Sequence, residues 1–527
     1  MCSLSPLMLG SCSSGGIVFA NYESYMSPDL IDKNRTVDGQ QVRYVSYSTN
    51  EDIQAKFKRS YDLAVPSTYT VLELVKADEV AELNWAMFST EGHKLNSNEY
   101  RWPLITYPSY LIEYAKPYNS YQGATTDDKM LAARNDPHNA LTLFSDTVIN
   151  IIFSVDDYAH DHGYYGVGKT LLNYSLPYFD QDLMFAYHGD YIGNEMNNDG
   201  GAYQLTAPQL NEDGLWYSEG ATWDKITNAI SPKKNTTLDS RFIPNERQHM
   251  ALVDDSRTFY DLCRLASTGG ADVNPPDDAA EQTMEKIGET YGHVSNKFNP
   301  NTFFINSDSQ QILYSFADPV GDYTNATEAQ ANAIISYSGD VAYATMGGGN
   351  DDWTDTWHCE PKGQDALVDG NVHIVKPRNT MVALDMLVIN KKDQDKQSVY
   401  DLAKSCVLDG ADAAPTSTDD PNAWIGKGIT DDDATNDPLY NTILNFEYTY
   451  YEPTLWNTKE FVSRNSNEPD ATNSYYDIKY SDENKAELLA EINNVNFLPG
   501  DQLLELPLSS LAKSNMSFEY MQYKQKM

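Results

Sequence analysis

The sequence predicts an α/β fold spread over more than one lobe. Three observations lead there. The chain has 527 residues, more than a single hydrophobic core organises. Short apolar runs alternate with amphipathic helical runs along much of its length. Near the start the order is strand, strand, helix, strand, in "GIVFANY", "QVRYVSYS", "NEDIQAKFK" and "YDLAVPS".

In "NEDIQAKFK", Ile53 and Phe57 stand four apart, the spacing of one helical face. Further strands are expected at "DLMFAYHG", "HMALVDD", "AIISYSG" and "ALDMLVIN". Helices are expected at "SRTFYDLCRLAS", "TMEKIGETYGHVSNKF" and "KQSVYDLAKSCVL". Cys263 shares a helical face with Phe259, Leu262 and Ala266, and Cys406 with Val399, Leu402 and Ala403. Both cysteines read as small buried hydrophobes. Two segments read as surface additions. Residues 93–162 are rich in Asn, Asp and Tyr around one apolar piece, "TLFSDTVINIIFSV". Residues 409–437 are acidic and loop-like.

The formal charge is −40, from 77 acids against 37 bases. Nucleic-acid binding rests on cationic surface, so that class is excluded. An acidic field suits a cationic ligand, and it also suits solubility alone. Tyrosine is abundant, 37 copies against 17 Phe and 8 Trp, and it offers a ring and a hydroxyl together. No apolar stretch reaches the roughly 18 residues that a membrane-spanning helix needs. No CxxC spacing occurs among Cys2, Cys12, Cys263, Cys359 and Cys406, so neither a zinc nor a redox motif is indicated.

"GYYGVGKT", Gly163 to Thr170, matches the phosphate-loop pattern letter by letter. That loop needs a buried strand before it and a long helix after it. Here "DDYAHDH" precedes it and Pro177 follows Thr170 by seven residues, so a glycine turn is expected. Asp156, Asp157, His160, Asp161 and His162 could ligate a metal, but no further ligand is identifiable, and a hydrated surface loop is the plainer reading. His358 and Cys359 in "WHCEP" are weaker still, and the run Asp431 to Asp433 lacks calcium-loop spacing. Neither a nucleophile elbow nor a zincin motif is present. The chain is expected to be no enzyme and to carry no metal or cofactor. A nucleotide- or metal-dependent surface enzyme is the alternative that these two motifs motivate.

Strand ends rich in tyrosine and acid are more numerous. "NYESY" supplies Tyr22, Glu23, Ser24 and Tyr25; "PSTY" supplies Ser67 and Tyr69. "LVDDSR" places Asp254 and Asp255 before a helix, where one should cap it. "YSGD" gives Tyr337 and Asp340, and "EYTYYEP" gives Tyr448, Tyr450 and Tyr451. Asp385 lies among Met381, Val382, Leu384, Met386 and Leu387, and a carboxylate there must find partners.

Taken in order, these segments resemble the spermidine/putrescine-binding proteins of bacterial ABC importers. "IVFANYESYMSPDLI" looks like that family's first strand and ligand turn, and "VRYVSYSTNEDIQAKF" like its second strand and helix. "YDLAVPSTYTV" is the closest match. "YSLPYFDQDLMFAYHG", "MALVDDSRTFYDL", "AIISYSGDVAYA", "VALDMLVINKK" and "EYTYYEPT" follow in register. The resemblance implies a two-lobed periplasmic-binding-protein-like clamp (type II), each lobe a mixed sheet flanked by helices. It implies one lobe from 16–188 and 381–455, the other from 189–380 and 456–527. It also implies an extracytoplasmic receptor that delivers a polyamine to an importer permease and its ATPase.

Carried over by residue, Tyr22, Tyr25, Ser67, Tyr69, Tyr337 and Tyr450 would line the pocket. Asp255 and Asp385 would pair with ammonium groups, with Glu23, Ser24 and Asp340 beside them. The chain departs from the family at Ser24 and Thr258, where acids are expected, and at Ala383, Tyr22 and Tyr337, where tryptophans are. Another organic cation such as thiamine, or a surface adhesin or scaffold with a degenerate pocket, therefore stays open. "LMLGSCSSGG" resembles a lipobox, which implies lipidation at Cys12 and anchoring of residues 1–15 at the outer face of the cell membrane.

Overall fold

The computed structural model describes residues 16–88, 116, 120–135, 139–188, 209–210, 216–217, 221–229, 249–296, 303–307, 312–313, 331–345, 372–409, 411, 414–415, 424–425, 438–455, 458 and 502–525. Cys12, His358, Cys359 and the run Asp431 to Asp433 lie outside the described residues.

The chain opens with β1 (Ile17–Tyr22), α1 (Pro28–Lys33), β2 (Gln40–Tyr47), α2 (Asn50–Ser60) and β3 (Leu63–Ala64). β1 lies between β2 and β3 and is parallel to both, with Ile17 opposite Val42 and Phe19 opposite Leu63. Parallel neighbours need crossovers, and α1 and α2 supply them. Thr49 caps α2, with Glu51 and Asp52 in the first turn and Lys58 and Arg59 in the last. Each charge opposes the helix dipole end it sits on. Ile53 and Phe57 are the face that buries.

"YDLAVPSTYTV" holds less strand than its composition suggests. Only Leu63–Ala64 is strand, and α3 (Thr68–Lys76) begins at once. Ser67 occupies the N-cap position, yet its hydroxyl leaves the helix and goes to Asp385.

The segment 93–162 corrects an expectation. Its apolar piece forms α4 (Asp146–Asp161), and Val148, Ile149, Ile152 and Val155 are buried in the same core as Phe19 and Leu63. The piece is interior because Val148, Ile152, Val155 and Ala159 repeat at helical spacing on one face. "DDYAHDH" is accordingly the end of a helix, not a hydrated loop. Buried Asp156 accepts from the Tyr165 hydroxyl at 2.6 Å and the Leu171 N–H at 2.8 Å. "GYYGVGKT" is a turn: Gly163 sits at φ 67°, a 3-10 turn follows at Leu171–Asn173, and Lys169 pairs with Glu82. Among the described residues no three metal-ligating side chains gather.

β4 (Ser175–His188) is fourteen residues long. β5 (His249–Val253), α5 (Ser256–Thr268), α6 (Met284–Ser295), β6 (Phe303–Asn306), β7 (Ala331–Tyr337) and α7 (Ser338–Thr345) follow. β5 runs parallel to β6 and to β7. Asp255 caps α5, and Gly269 ends it at φ 67°, a backbone state that a Cβ opposes. The remaining elements are β8 (Thr380–Ile389), α8 (Gln397–Val407), α9 (Pro438–Thr449), β9 (Gln502–Leu504) and α10 (Ser510–Lys524).

The main sheet runs β2-β1-β3-β8-β4-β7-β5-β6. Two separate hydrophobic cores flank it. One holds Phe19, Phe57, Leu63, Ile152, Leu387 and Tyr400; the other holds Leu252, Phe259, Leu262, Tyr291, Ile335 and Tyr520. Each such side chain, fully buried, contributes about 1.5–3 kcal/mol. β4 serves both cores, giving Leu176 and Phe179 to the first and Leu183 and Phe185 to the second. β8 does likewise, with Leu384 and Met386 in the first and Met381 and Ala383 in the second. Two lobes joined by two long shared strands make a clamp.

Candidate ligand-binding site

Asp385 sits in the middle of β8, where the strand passes the ends of β1 and β3. It is 1% exposed. A carboxylate buried in an apolar strand is costly unless donors surround it. Three do. The Tyr25 hydroxyl donates to Oδ2 at 2.6 Å, Gln181 Nε2 to Oδ2 at 2.9 Å, and the Ser67 hydroxyl to Oδ1 at 2.6 Å. Burial still pushes the acid up to about 6, against the bonds from Ser67, Tyr25 and Gln181. The family of donors comes from three elements: the turn after β1, the start of α3, and β4.

Aromatic rings wall this acid. Tyr22 lies tilted against Tyr47 at 4.6 Å and meets Tyr25 edge-on at 5.5 Å. Tyr25 lies 4.9 Å from Tyr451 and 5.4 Å from Phe179. Asn50 fixes Ser67 by accepting from its backbone N–H at 3.0 Å, and the Tyr22 hydroxyl stands 3.4 Å from the Ser67 hydroxyl. Tyr451 donates to Oδ1 of buried Asp340 at 2.5 Å, and the Ser336 hydroxyl donates to Oδ2. Tyr451 packs directly on the backbone of Gly339, where a Cβ would strike its ring. Tyr450 ends α9 in left-handed backbone at φ 55°, and its N–H donates to Phe446 O at 2.6 Å. That turn delivers Tyr451, rather than Tyr450, to Asp340.

The second lobe presents the start of α5 and the end of β7. Asp255 Oδ1 accepts from the Thr258 N–H at 2.6 Å, and the Thr258 and Tyr337 hydroxyls are 2.8 Å apart. Burial, with Glu51 and Glu505 adding to it, pushes Asp255 up to about 7, against the Thr258 bonds. Tyr337 packs against both cores. Arg257 is buried; its guanidinium lies 5.6 Å over the Tyr69 ring, with Nε 3.0 Å from Asp261 and 3.5 Å from Glu505.

The structure thus gathers Tyr22, Tyr25, Ser67 and Asp385 directly, and joins Asp340 to them through Tyr451. Asp255 and Tyr337 meet through Thr258, and Tyr69 lies under Arg257. Glu23 is exposed, and Ser24 occupies the turn at φ 55°. Tyr450 packs on Phe446 at 5.6 Å. Sequence reasoning missed Gln181, Arg257 and Glu505, and it named Tyr451 but carried Tyr450 to the pocket. Arg257 stood inside the "DDSR" segment, and Tyr451 beside the residue chosen. Gln181 and Glu505 carry no local signal, because only long-range strand pairing brings them in.

Fold and site together are a two-lobed α/β clamp with an aromatic, acidic cluster between its two cores. The chain belongs to a family described as hypothetical lipoprotein (MG045 family), whose model matches residues 1–101 and 123–497. A stretch of 102 residues is 29% identical to the spermidine/putrescine-binding periplasmic protein of Salmonella typhimurium, and equally to that of Salmonella typhi. It covers 19% of this chain and 29% of each relative. Among solved structures, a protein of Listeria monocytogenes described as a spermidine/putrescine ABC transporter is 14% identical, with a TM-score of 0.48 over 98% of this chain and 100% of that one. The Tp0655 lipoprotein of Treponema pallidum is 11% identical, with a TM-score of 0.46 over 97% and 99%.

Proposed function

We propose that this protein is a lipid-anchored, extracytoplasmic receptor that captures a polyamine between its lobes and delivers it to an ABC importer permease. Residues 16–188 and 381–455 form one jaw, 189–380 and 456–527 the other, with β4 and β8 as the hinge. The observation that carries this reading is Asp385, a buried carboxylate beside Tyr25 and Tyr22 on a strand that serves both cores. A polyamine is a string of ammonium groups and methylenes, and it needs buried acids for the first and aromatic faces for both. Asp385 and Asp255 take the ammonium groups, and Tyr22, Tyr25, Tyr69 and Tyr337 take the chain. Contacts from both jaws favour the closed state. The lipoprotein family and the sequence motifs support the anchor, at Cys12.

Thermal unfolding with putrescine, spermidine, spermine, thiamine and ATP–Mg, added separately, tests it. A native-state ligand raises the midpoint as RT ln(1 + [L]/Kd). A rise with polyamines that disappears in D385N supports the receptor; a rise with thiamine alone changes the ligand. One observation favours a second reading, a scaffold with an occluded pocket: Asp385 already accepts from three protein donors. No rise with any of the amines would select that reading.

A further inference from the structure

Resting on the receptor reading, we infer that Glu505, delivered by the C-terminal segment, completes a second ammonium-binding half-site with Asp255, Glu51 and the Tyr69 hydroxyl. Thr258 stands three residues after Asp255, in the first turn of α5. Here its hydroxyl is engaged with Tyr337 and it brings no charge. Glu505 comes in from a remote part of the chain instead. It directly follows β9, which pairs in parallel with Thr380–Val382 of the hinge strand β8.

The backbone on both sides of Glu505 is fixed by one side chain. Asn274 Nδ2 donates to Leu504 O at 2.9 Å, and Asn274 Oδ1 accepts from the Leu506 N–H at 2.8 Å. The same Oδ1 accepts from Arg257 Nη2 at 2.5 Å. Glu505 is 9% exposed, with Oε1 held toward Arg257. Charges do not balance there. Arg257 pairs with Asp261 and Glu505, while Glu51 and Glu505 both push Asp255 up. Tyr69 supplies an independent indication. It is 2% exposed, and its hydroxyl makes no hydrogen bond among the described residues. That hydroxyl lies in the field of Glu51, Glu505 and Asp255. A buried acceptor beside surplus carboxylates suits a group that brings only donors and positive charge, which an ammonium is.

The plainer account is that Glu505 only balances Arg257, sharing a proton with Asp261. Calorimetric titration of spermidine into wild type, E505Q and D385N, with thermal unfolding of each ligand-free protein, separates the two. E505Q is expected to keep or raise the ligand-free midpoint while weakening spermidine by about tenfold or more. A lowered midpoint with wild-type affinity would make Glu505 a counter-ion to Arg257 and overturn the inference. Loss of binding in D385N but not in E505Q would do the same while sparing the receptor reading. No uptake by wild type would remove the receptor reading and this half-site together. Should E505Q fail to fold, E505D keeps the charge one methylene short, and unchanged spermidine affinity in it would count against the half-site.

Discussion

Lys513 reaches Glu73 across the two jaws. Its Nζ is 2.5 Å from Glu73 Oε2 and 2.9 Å from Gln54 Oε1. Lys513 rides on α10, whose Ala512, Met516 and Tyr520 pack in the second core, whereas Glu73 rides on α3, whose Val71, Leu72 and Leu74 pack in the first. The pair ties the two lobes together. K513A is expected to increase the ligand-free radius of gyration in X-ray scattering and to weaken ligand by about fivefold, the worth of a partly buried pair near 1 kcal/mol. An unchanged radius and affinity would show that the pair does not hold the jaws.

Asp385 carries a sharper expectation. D385N keeps an acceptor for Ser67 or Tyr25 but removes the charge. Breaking a buried ion pair costs about 3–5 kcal/mol, so polyamine affinity should fall by about 100-fold or more. The ligand-free midpoint should hold or rise, because burial opposes the ionised acid. A fall in midpoint with affinity intact would contradict this assignment.

The pH dependence follows with a definite sign. Asp385 is raised to about 6 and Asp255 to about 7. Between the usual carboxylate range and those values the native state holds more protons than the unfolded chain. Stability from these groups is therefore fully present in acid and is lost as pH rises through about 6 to 7. Cation affinity runs the other way and grows over the same window as the carboxylates ionise. Unfolding midpoints and titrations at several pH values read both slopes, and D385N should flatten each. Parallel slopes in wild type and D385N would dismiss Asp385 as their source.

Much of this was legible in the sequence, for physical reasons. Asp385 announced itself as a charge in an apolar strand. Asp255 was expected as a possible cap of α5 and is one. Helical spacing placed Cys263 and Cys406 in the interior, where they are buried. Glu505 and Gln181 were silent, since each reaches the cleft through pairing with a strand far along the chain. α4 was misplaced for another reason: the polar composition around it hid a buried face.

That face gives a stability test. I152A deletes a fully buried side chain of α4. It should cost about 2–5 kcal/mol in denaturant unfolding. A cost below about 0.5 kcal/mol, normal for a surface position, would return the segment to the exterior.

Gly339 offers a test of the Tyr451–Asp340 contact. A Cβ there meets the Tyr451 ring and backbone. G339A should destabilise by about 1–3 kcal/mol, as overpacking does. Y451F in the G339A background should add little, because the ring would already have left Asp340. Additive losses would mean that the ring tolerates the methyl in place.

The position of β8 in the sheet has a consequence for biosynthesis. It lies between β3 and β4, yet it is made long after both, and Asp385 is 318 residues from Ser67. Until residues 380–389 have left the ribosome, the first jaw is a sheet with a missing interior strand and two open edges. Such edges invite pairing with other chains. The nascent protein must be kept from settling until that strand arrives, and a product cut short before it has neither a closed sheet nor its central acid. One strand therefore fills the gap inside the sheet and brings in the buried acid in the same step.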